Sequence, residues 1–197
     1  MKQYISYEQW LNKVLHPLDE LCRNREIFQY VTDKFDIVNR LQPKRIAEIG
    51  VRLGYSAHAF VFACEPEVWY VGYDVIGGPG GGTTIAGLEY AKSILHRDFP
   101  RVEVEMIQAD TQRIDEFKLS EIDFFHVDGD HSEAGAFHDM QIAWATIRSG
   151  GAMVVDDYDY LPPVKRAVDR FAVEFASSIG SKEYLKTFRG DMVFIKK

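Results

Sequence analysis

The stretch from Ile122 to Tyr158 constrains this 197-residue chain more than any other. Two short β-type runs, Ile122–Val127 and Ala152–Val155, each end in acidic residues and are separated by a helix-length segment. In an open parallel sheet both strand ends emerge on one edge, so Asp128, Asp130, Asp156 and Asp157 can converge although they lie far apart in sequence. Four acids at one edge repel each other if all are ionised, and a hard divalent cation resolves the repulsion through their oxygens. Helix caps and solvated strand ends are the alternative reading of the same residues. His126 lies two residues before Asp128, so in a regular strand the two point to the same side.

Upstream, Arg45–Ile49 reads as a short buried strand followed by EIGVRLGYSAHAFVFA. Glu48, Gly50, Gly54 and Ser56 form E-x-G-x-x-x-G-x-S, a glycine-bearing strand-to-helix turn. Gly50 lets a ligand approach the backbone, Gly54 permits a sharp turn, and the next helix offers free N–H groups to a carboxylate or phosphate. The spacing is neither the dinucleotide fingerprint nor a P-loop, so a plain structural turn competes with a binding loop. Trp69–Tyr73 then forms a strand ending at Asp74, one β-α-β unit after Glu48. An acid there suits the two hydroxyls of a ribose, or simply terminates a strand. Val102–Ile107 is the next strand, and the QADT that follows places Asp110 either at a base edge or as the cap of a short helix around Thr111–Phe117. The GGPGGGTT run between them reads as a solvent-facing loop or a lid over a ligand.

Two helical patterns fill residues 1–44, the second with an apolar stripe of Ile27, Tyr30, Val31, Phe35 and Val38. They cap the sheet, cover a substrate or build a dimer contact. At the other end, an amphipathic helix from Leu161 precedes EYLKTF and DMVFIK, which Arg189-Gly190 separates as a terminal β-hairpin. The chain is therefore read as one α/β domain of leading helices, about five α/β-linked strands and a hairpin. Composition narrows the function classes. A net charge of -7 disfavours nucleic acid, and two cysteines are too few for a disulfide scaffold. The opening residues carry no apolar signal core and no segment approaches the roughly 18–20 apolar residues of a membrane span, so a cytoplasmic protein without a membrane partner is expected.

The motifs EIGVRLGYS, VGYD, QAD, VDGDHS and SGGAMVVDD together resemble the class I S-adenosylmethionine-dependent methyltransferases. Among them the chain is most similar to small metal-dependent O-methyltransferases, including the group that methylates macrolide and aminocoumarin sugars. The resemblance implies a Rossmann-like fold with a seven-stranded, mostly parallel sheet and an antiparallel last strand. It covers about residues 40–197, and the chain is read as an N-terminal helical cap, 1–44, and an S-adenosylmethionine-binding catalytic domain, 45–197, within a single compact domain. It places Glu48, Gly50, Gly54 and Ser56 around the methionine part of the donor, Asp74 at its ribose and Asp110 at its adenine. Asp128, Asp156 and Asp157 become ligands of Mg2+, and Asp130 or His131 the base beside an acceptor hydroxyl. The expected acceptor is a small hydroxylated molecule, a sugar-bearing natural product or a catechol. N- or C-methylation and a noncatalytic nucleoside-binding protein are the competing functions. A homodimer is expected from the aromatic N-terminal region and the resemblance. One departure stands out: the family carries an aromatic soon after DGDHS, where this chain has Glu133 and Ala134, so acceptor specificity does not transfer with the motif.

Overall fold

Helix α1 (Tyr7–Lys13) and helix α2 (Arg25–Leu41) precede the first strand, β1 (Arg45–Ile49). The chain then alternates α3 (Tyr55–Cys64), β2 (Trp69–Asp74), α4 (Ile85–Asp98), β3 (Glu103–Gln108), β4 (Ile122–Val127), α5 (Glu133–Thr146) and β5 (Ile147–Val155). Helix α6 (Pro162–Glu174) leads into β6 (Ile179–Leu185) and β7 (Asp191–Lys196). This computed structural model describes residues 2–77 and 82–197, so residues 78–81 of the lid or ligand loop expected at Gly77–Gly82 lie outside the described residues.

All seven strands form one sheet in the order β3-β2-β1-β4-β5-β7-β6. Strands β1 to β5 run parallel, and β7 is antiparallel to both β5 and β6. That is the sheet the resemblance implies. The chain winds outward from β1 to β3 and returns to place β4 on the other side of β1. Strand order reverses between β1 and β4, which is where open α/β sheets leave a crevice at their carboxyl edge.

Side-chain alternation along the strands divides the core between the two faces. Ile46, Phe124 and Val154 pack with Val31, Phe35 and Val38 of α2 and with Phe60 of α3. Ala47, Phe125 and Met153 pack instead with Met140 and Trp144 of α5 and Phe171 of α6. The helices begin where capping side chains stand: Ser6 and Gln9 form a capping box, and Asn24, Thr84 and Ser132 each accept a backbone N–H of the first turn. Helix α2 stops at Gln42, which is left-handed at φ 48° and precedes Pro43. Among the described residues no helix is long and apolar enough to cross a membrane.

Three local expectations shift. The Ser149-Gly150-Gly151 turn is absorbed into β5, which begins at Ile147 with a register irregularity against β4. Gly150 takes φ 76° there, and a Cβ on Gly151 would lie 2.7 Å from Ile147 Cγ2, so glycines allow the strand to bend rather than turn. The helix expected at Thr111–Phe117 is a single 3-10 turn, Thr111–Arg113. Strand β6 ends at Leu185, before Phe188, whose backbone N–H reaches Asp33 Oδ2 of α2 at 2.9 Å.

Within the apolar stripe of α2 stands Lys34, 1% exposed. Its ammonium donates to Asp156 Oδ1 at 2.8 Å and to Asp191 Oδ1, and it lies 4.6 Å from the ring centre of Tyr30. Burial alone would lower the lysine pKa, but the two carboxylates reverse this and hold the group above its ordinary value. Removing one member of such a cluster leaves buried charge without a partner. Lys34→Met should therefore cost about 3–5 kcal/mol of stability, measured by urea unfolding; a loss below about 1 kcal/mol would show that the cluster is not holding α2 to the sheet.

Candidate active site

Backbone hydrogen bonds continue the sheet's pairing just past its carboxyl edge. Gly50 N–H donates to Tyr73 O at 2.9 Å, Asp128 N–H to Ile49 O at 3.0 Å, Asp156 N–H to Val127 O at 3.1 Å and Ala109 N–H to Asp74 O at 2.9 Å. The loops after β1, β2, β3, β4 and β5 are thus locked side by side, and every candidate site residue lies on these loops, at the strand ends or at the start of α3.

Gly50 holds the loop after β1 against the loop after β4. Its φ is 90°, and a Cβ there would fall 1.8 Å from the Asp128 carbonyl oxygen. No side chain fits at that contact. Gly54, at φ 77°, starts α3 with its Cα against Ala91 of α4, where a Cβ would come within 2.7 Å of the alanine Cβ.

Glu48 is fully buried on the α2/α3 face of the sheet. It accepts hydrogen bonds from Ser56 Oγ at 2.5 Å and from the Tyr70 hydroxyl, and its Oε1 lies 2.9 Å from His126 Nδ1. Both carboxylate oxygens are therefore occupied inside the protein, and Glu48 with Ser56 fixes the β1–α3 turn from below. His126 and Asp128 do turn to the same side, as their spacing suggests. His126 stacks edge-on against Phe60 of α3 with ring centres 5.2 Å apart, and Asp128 Oδ2 accepts the Tyr30 hydroxyl of α2 at 3.1 Å.

Asp74 accepts Arg52 N–H at 2.6 Å, and burial raises its pKa above the ordinary value. Asp110 caps the 3-10 turn, accepting Gln112 N–H at 3.1 Å, and pairs with Arg113 at 3.1 Å. Between this loop and the one after β4 stands Asp139 of α5, which is buried. Its Oδ1 accepts the Thr111 hydroxyl at 2.7 Å and Gln112 Nε2 at 2.9 Å, while Oδ2 accepts Asp130 N–H at 3.1 Å.

At the centre of the edge, ligand atoms of Asp128, His131 and Asp157 lie within 4.8 Å of one another, a spacing that a single cation can bridge. Asp156, expected beside Asp128 and Asp157, is not in that group, and Lys34 donates to its Oδ1 at 2.8 Å. His131 Nε2 is 3.2 Å from Asp128 Oδ1 and 3.5 Å from Asp157 Oδ2, and the contact with Asp128 raises the imidazole pKa. Asp157 takes φ 60°, unusual for a side-chain-bearing residue, and Arg189 donates to its Oδ1 at 3.2 Å. Burial, then the charges of Asp156 and Asp128, pushes the Asp157 carboxyl up to about 7. For Asp156 burial would act the same way, but Lys34 overrides it and holds the group below its ordinary value.

Asp130 does not belong to that converging group. Its Oδ1 accepts Ser132 N–H at 2.7 Å, and its carboxylate packs on Gly135 in the first turn of α5, where a Cβ would come within 2.2 Å of it. The other oxygen carries no hydrogen bond among the described residues. No motif in the sequence gives Tyr30, Lys34, Asp139, Arg189 or Asp191 a place at this edge. Only Lys34 left a local signal, a lysine inside the apolar stripe of an amphipathic helix.

The model of the family described as "Methyltransferase domain" matches residues 47–158. No curated protein matches the chain in sequence. Among solved structures, the SAH-bound methyltransferase PaMTH1 of Podospora anserina is 16% identical with a TM-score of 0.67, over 90% of this chain and 84% of that one. An O-methyltransferase from Bacillus cereus in complex with SAH is 20% identical with a TM-score of 0.62, over 95% and 96%. The O-methyltransferase NovP is 15% identical with a TM-score of 0.68, over 98% and 100%. At such identities the likeness carries the fold. The chain belongs to the methyltransferase-domain family, and by family and fold it is a class I S-adenosylmethionine-dependent methyltransferase.

Asp139 links the loops after β3 and β4, and its burial raises the carboxyl from 3.8 to about 6. A carboxyl with a raised folded pKa binds its proton more tightly in the native state, so its contribution to stability is complete below about pH 4 and is lost as pH rises through about 6. In Asp139→Asn that fall should flatten when unfolding free energy is followed from pH 4 to pH 7; an unchanged slope would show that Asp139 does not titrate in this window.

Proposed function

We propose that the protein O-methylates a small hydroxylated acceptor at the edge formed by Asp128, Asp130, His131 and Asp157, with the methyl donor seated on the adjoining β1–α3 turn. The contact that supports this most directly is Gly50 against the Asp128 carbonyl. It makes the donor turn and the acidic loop immediate neighbours, so a methyl group presented by one is near an oxygen held by the other.

For the donor, the turn of Gly50 to Gly54 would receive the methionine part, Asp74 the ribose hydroxyls and Asp110 the adenine edge. The acid at the end of β2 fits a ribose, because a carboxylate accepts hydrogen bonds from vicinal hydroxyls. S-adenosylmethionine supplies an electrophilic methyl carried on a sulfonium. For the metal, two carboxylates and an imidazole suit a divalent cation. A cation held there would lower the pKa of an acceptor hydroxyl and fix its position.

In the transfer, the acceptor O–H proton passes to the free oxygen of Asp130 and the acceptor oxygen forms a bond to the methyl carbon. The carbon–sulfur bond breaks with its electron pair on sulfur, leaving S-adenosylhomocysteine. Alignment of oxygen, carbon and sulfur and exclusion of water supply much of the remaining rate. Asp130 is assigned the proton because one of its oxygens is free, whereas His131 is already engaged with Asp128 and Asp157. A catechol or another vicinal diol is the favoured acceptor, since two adjacent oxygens can hold one cation together. The NovP and Bacillus cereus structures are named as O-methyltransferases, which favours oxygen over nitrogen or carbon.

Asp130→Asn keeps the contact with Ser132 and removes the base, so kcat should fall by about 10²–10⁴-fold while donor affinity by calorimetry stays unchanged. Mass fragmentation of the product should locate the new methyl on oxygen. Undiminished kcat in the variant would remove Asp130 as the base, and methyl transfer that survives exhaustive chelation would remove the metal.

A further inference from the structure

The acidic edge carries more negative charge than its own cations balance. Asp128, Asp156, Asp157 and Asp191 stand against two permanent cations, Lys34 and Arg189. Those cations are not shared evenly. Lys34 bridges Asp156 and Asp191 beneath the site, while Arg189 reaches Asp157 from the β6–β7 turn at 3.2 Å. Asp128 and Asp157 remain as the pair that faces His131.

Two observations mark this pair as a ligand site rather than a chance cluster of acids. Asp157 is 1% exposed, and its Oδ2 is buried with no hydrogen-bond partner among the described residues. That oxygen is directed into the cluster, 3.5 Å from His131 Nε2. Asp156 Oδ2 is also buried and unpartnered, but an ammonium 2.8 Å from the same carboxylate repels a dication on that side. Asp156 is accordingly absent from the group whose ligand atoms converge.

We propose that this chain's metal site consists of Asp128, Asp157 and the His131 imidazole, with Asp156 withheld by Lys34, and that it selects a first-row transition dication over Mg2+. The inference rests on reading this edge as a metal site and deepens that reading by naming the class of ion. Mg2+ favours an oxygen shell with several retained waters. Exchanging a carboxylate for an imidazole removes one negative charge and adds a nitrogen donor, which suits the transition series from Mn2+ onward better than Mg2+. His131 is in place for this role because its Nε2 already points at both carboxylates. Its side chain is 37% exposed, so an incoming ion can displace those contacts without opening the core.

Calorimetric titration of the full chain with Mn2+ alone and Mg2+ alone, together with pulsed electron paramagnetic resonance of the Mn2+-loaded protein, tests the inference without any turnover. The wild type should bind Mn2+ at least about tenfold more tightly than Mg2+ and show nitrogen coupling from a directly bound imidazole. In His131→Ala the nitrogen signal should vanish and Mn2+ affinity fall by at least the roughly 10–100-fold that loss of a residue supporting a ligand costs, with Mg2+ affinity much less affected; His131→Gln should behave alike. Mn2+ bound without nitrogen coupling, or a Mn2+ to Mg2+ ratio unchanged in both variants, would overturn the inference while leaving a metal site. Binding of neither ion by the wild type would overturn the metal-site reading and the inference with it.

Discussion

A lysine ammonium shut off from solvent joins the end of β5 to the start of β7, and the arrangement of the active edge depends on it. Lys34 comes from a helix that precedes the whole sheet, yet it touches Asp156 and Asp191 from within. Such a cluster is weak evidence for net stability, because taking three charged groups out of water offsets much of their mutual attraction. Its effect is one of direction. It commits Asp156 to the interior, anchors α2 across the strand ends, and so brings the Tyr30 hydroxyl to Asp128 and the Tyr30 ring beneath Arg189 at 5.4 Å. Helix α2 thereby reaches the acidic edge as well as the core.

A second buried polar group works beside the first on the same face of the sheet. Glu48 and His126 are register neighbours on β1 and β4, and Ser56 and Tyr70 complete the carboxylate's partners. Burial would lower the imidazole pKa, and Glu48 reverses it. Every oxygen of the acid is satisfied, as a carboxylate at such depth requires. With its underside fixed in this way, the β1–α3 turn can present Gly50 to the loop after β4 without a side chain between them.

Backbone architecture was legible in the sequence because it follows from local pattern. Most of the parallel strands announce themselves as short apolar runs and β3 as an alternating one, and glycines and capping residues mark where the strands stop. Convergence of acids at one edge followed from parallel strands alone. What local pattern does not encode is where a side chain points once the strand has ended. Whether Asp156 or His131 joins Asp128 and Asp157 is decided by Lys34, 122 residues from Asp156 in sequence, and by a left-handed backbone at Asp157 that no glycine signals. Asp130 was legible as a loop acid, but its turn back onto Ser132 and Gly135 depends on a glycine in α5 that reads as an ordinary helical residue. The β5 start was misplaced for a related reason: Ser-Gly-Gly is a turn signal, and only pairing with β4 shows that the glycines bend a strand instead.

Charge placement accounts for the division of labour among the acids that follow β4 and β5. Neighbouring carboxylates in a partly dry cleft cannot all remain ionised without compensation. Here each finds a different solution. Asp156 takes a lysine, Asp130 takes the N-terminal turn of α5, and Asp128 takes a tyrosine hydroxyl and an imidazole. Asp157 has Arg189 and the more distant His131 against burial and two acidic neighbours, and its carboxyl is pushed up to about 7. It is the member whose charge the fold leaves least compensated, and its unpartnered oxygen faces His131. An edge built in this way has paired off the charges it needs for structure and keeps its deficit at the one position where a cation and an acceptor oxygen would meet.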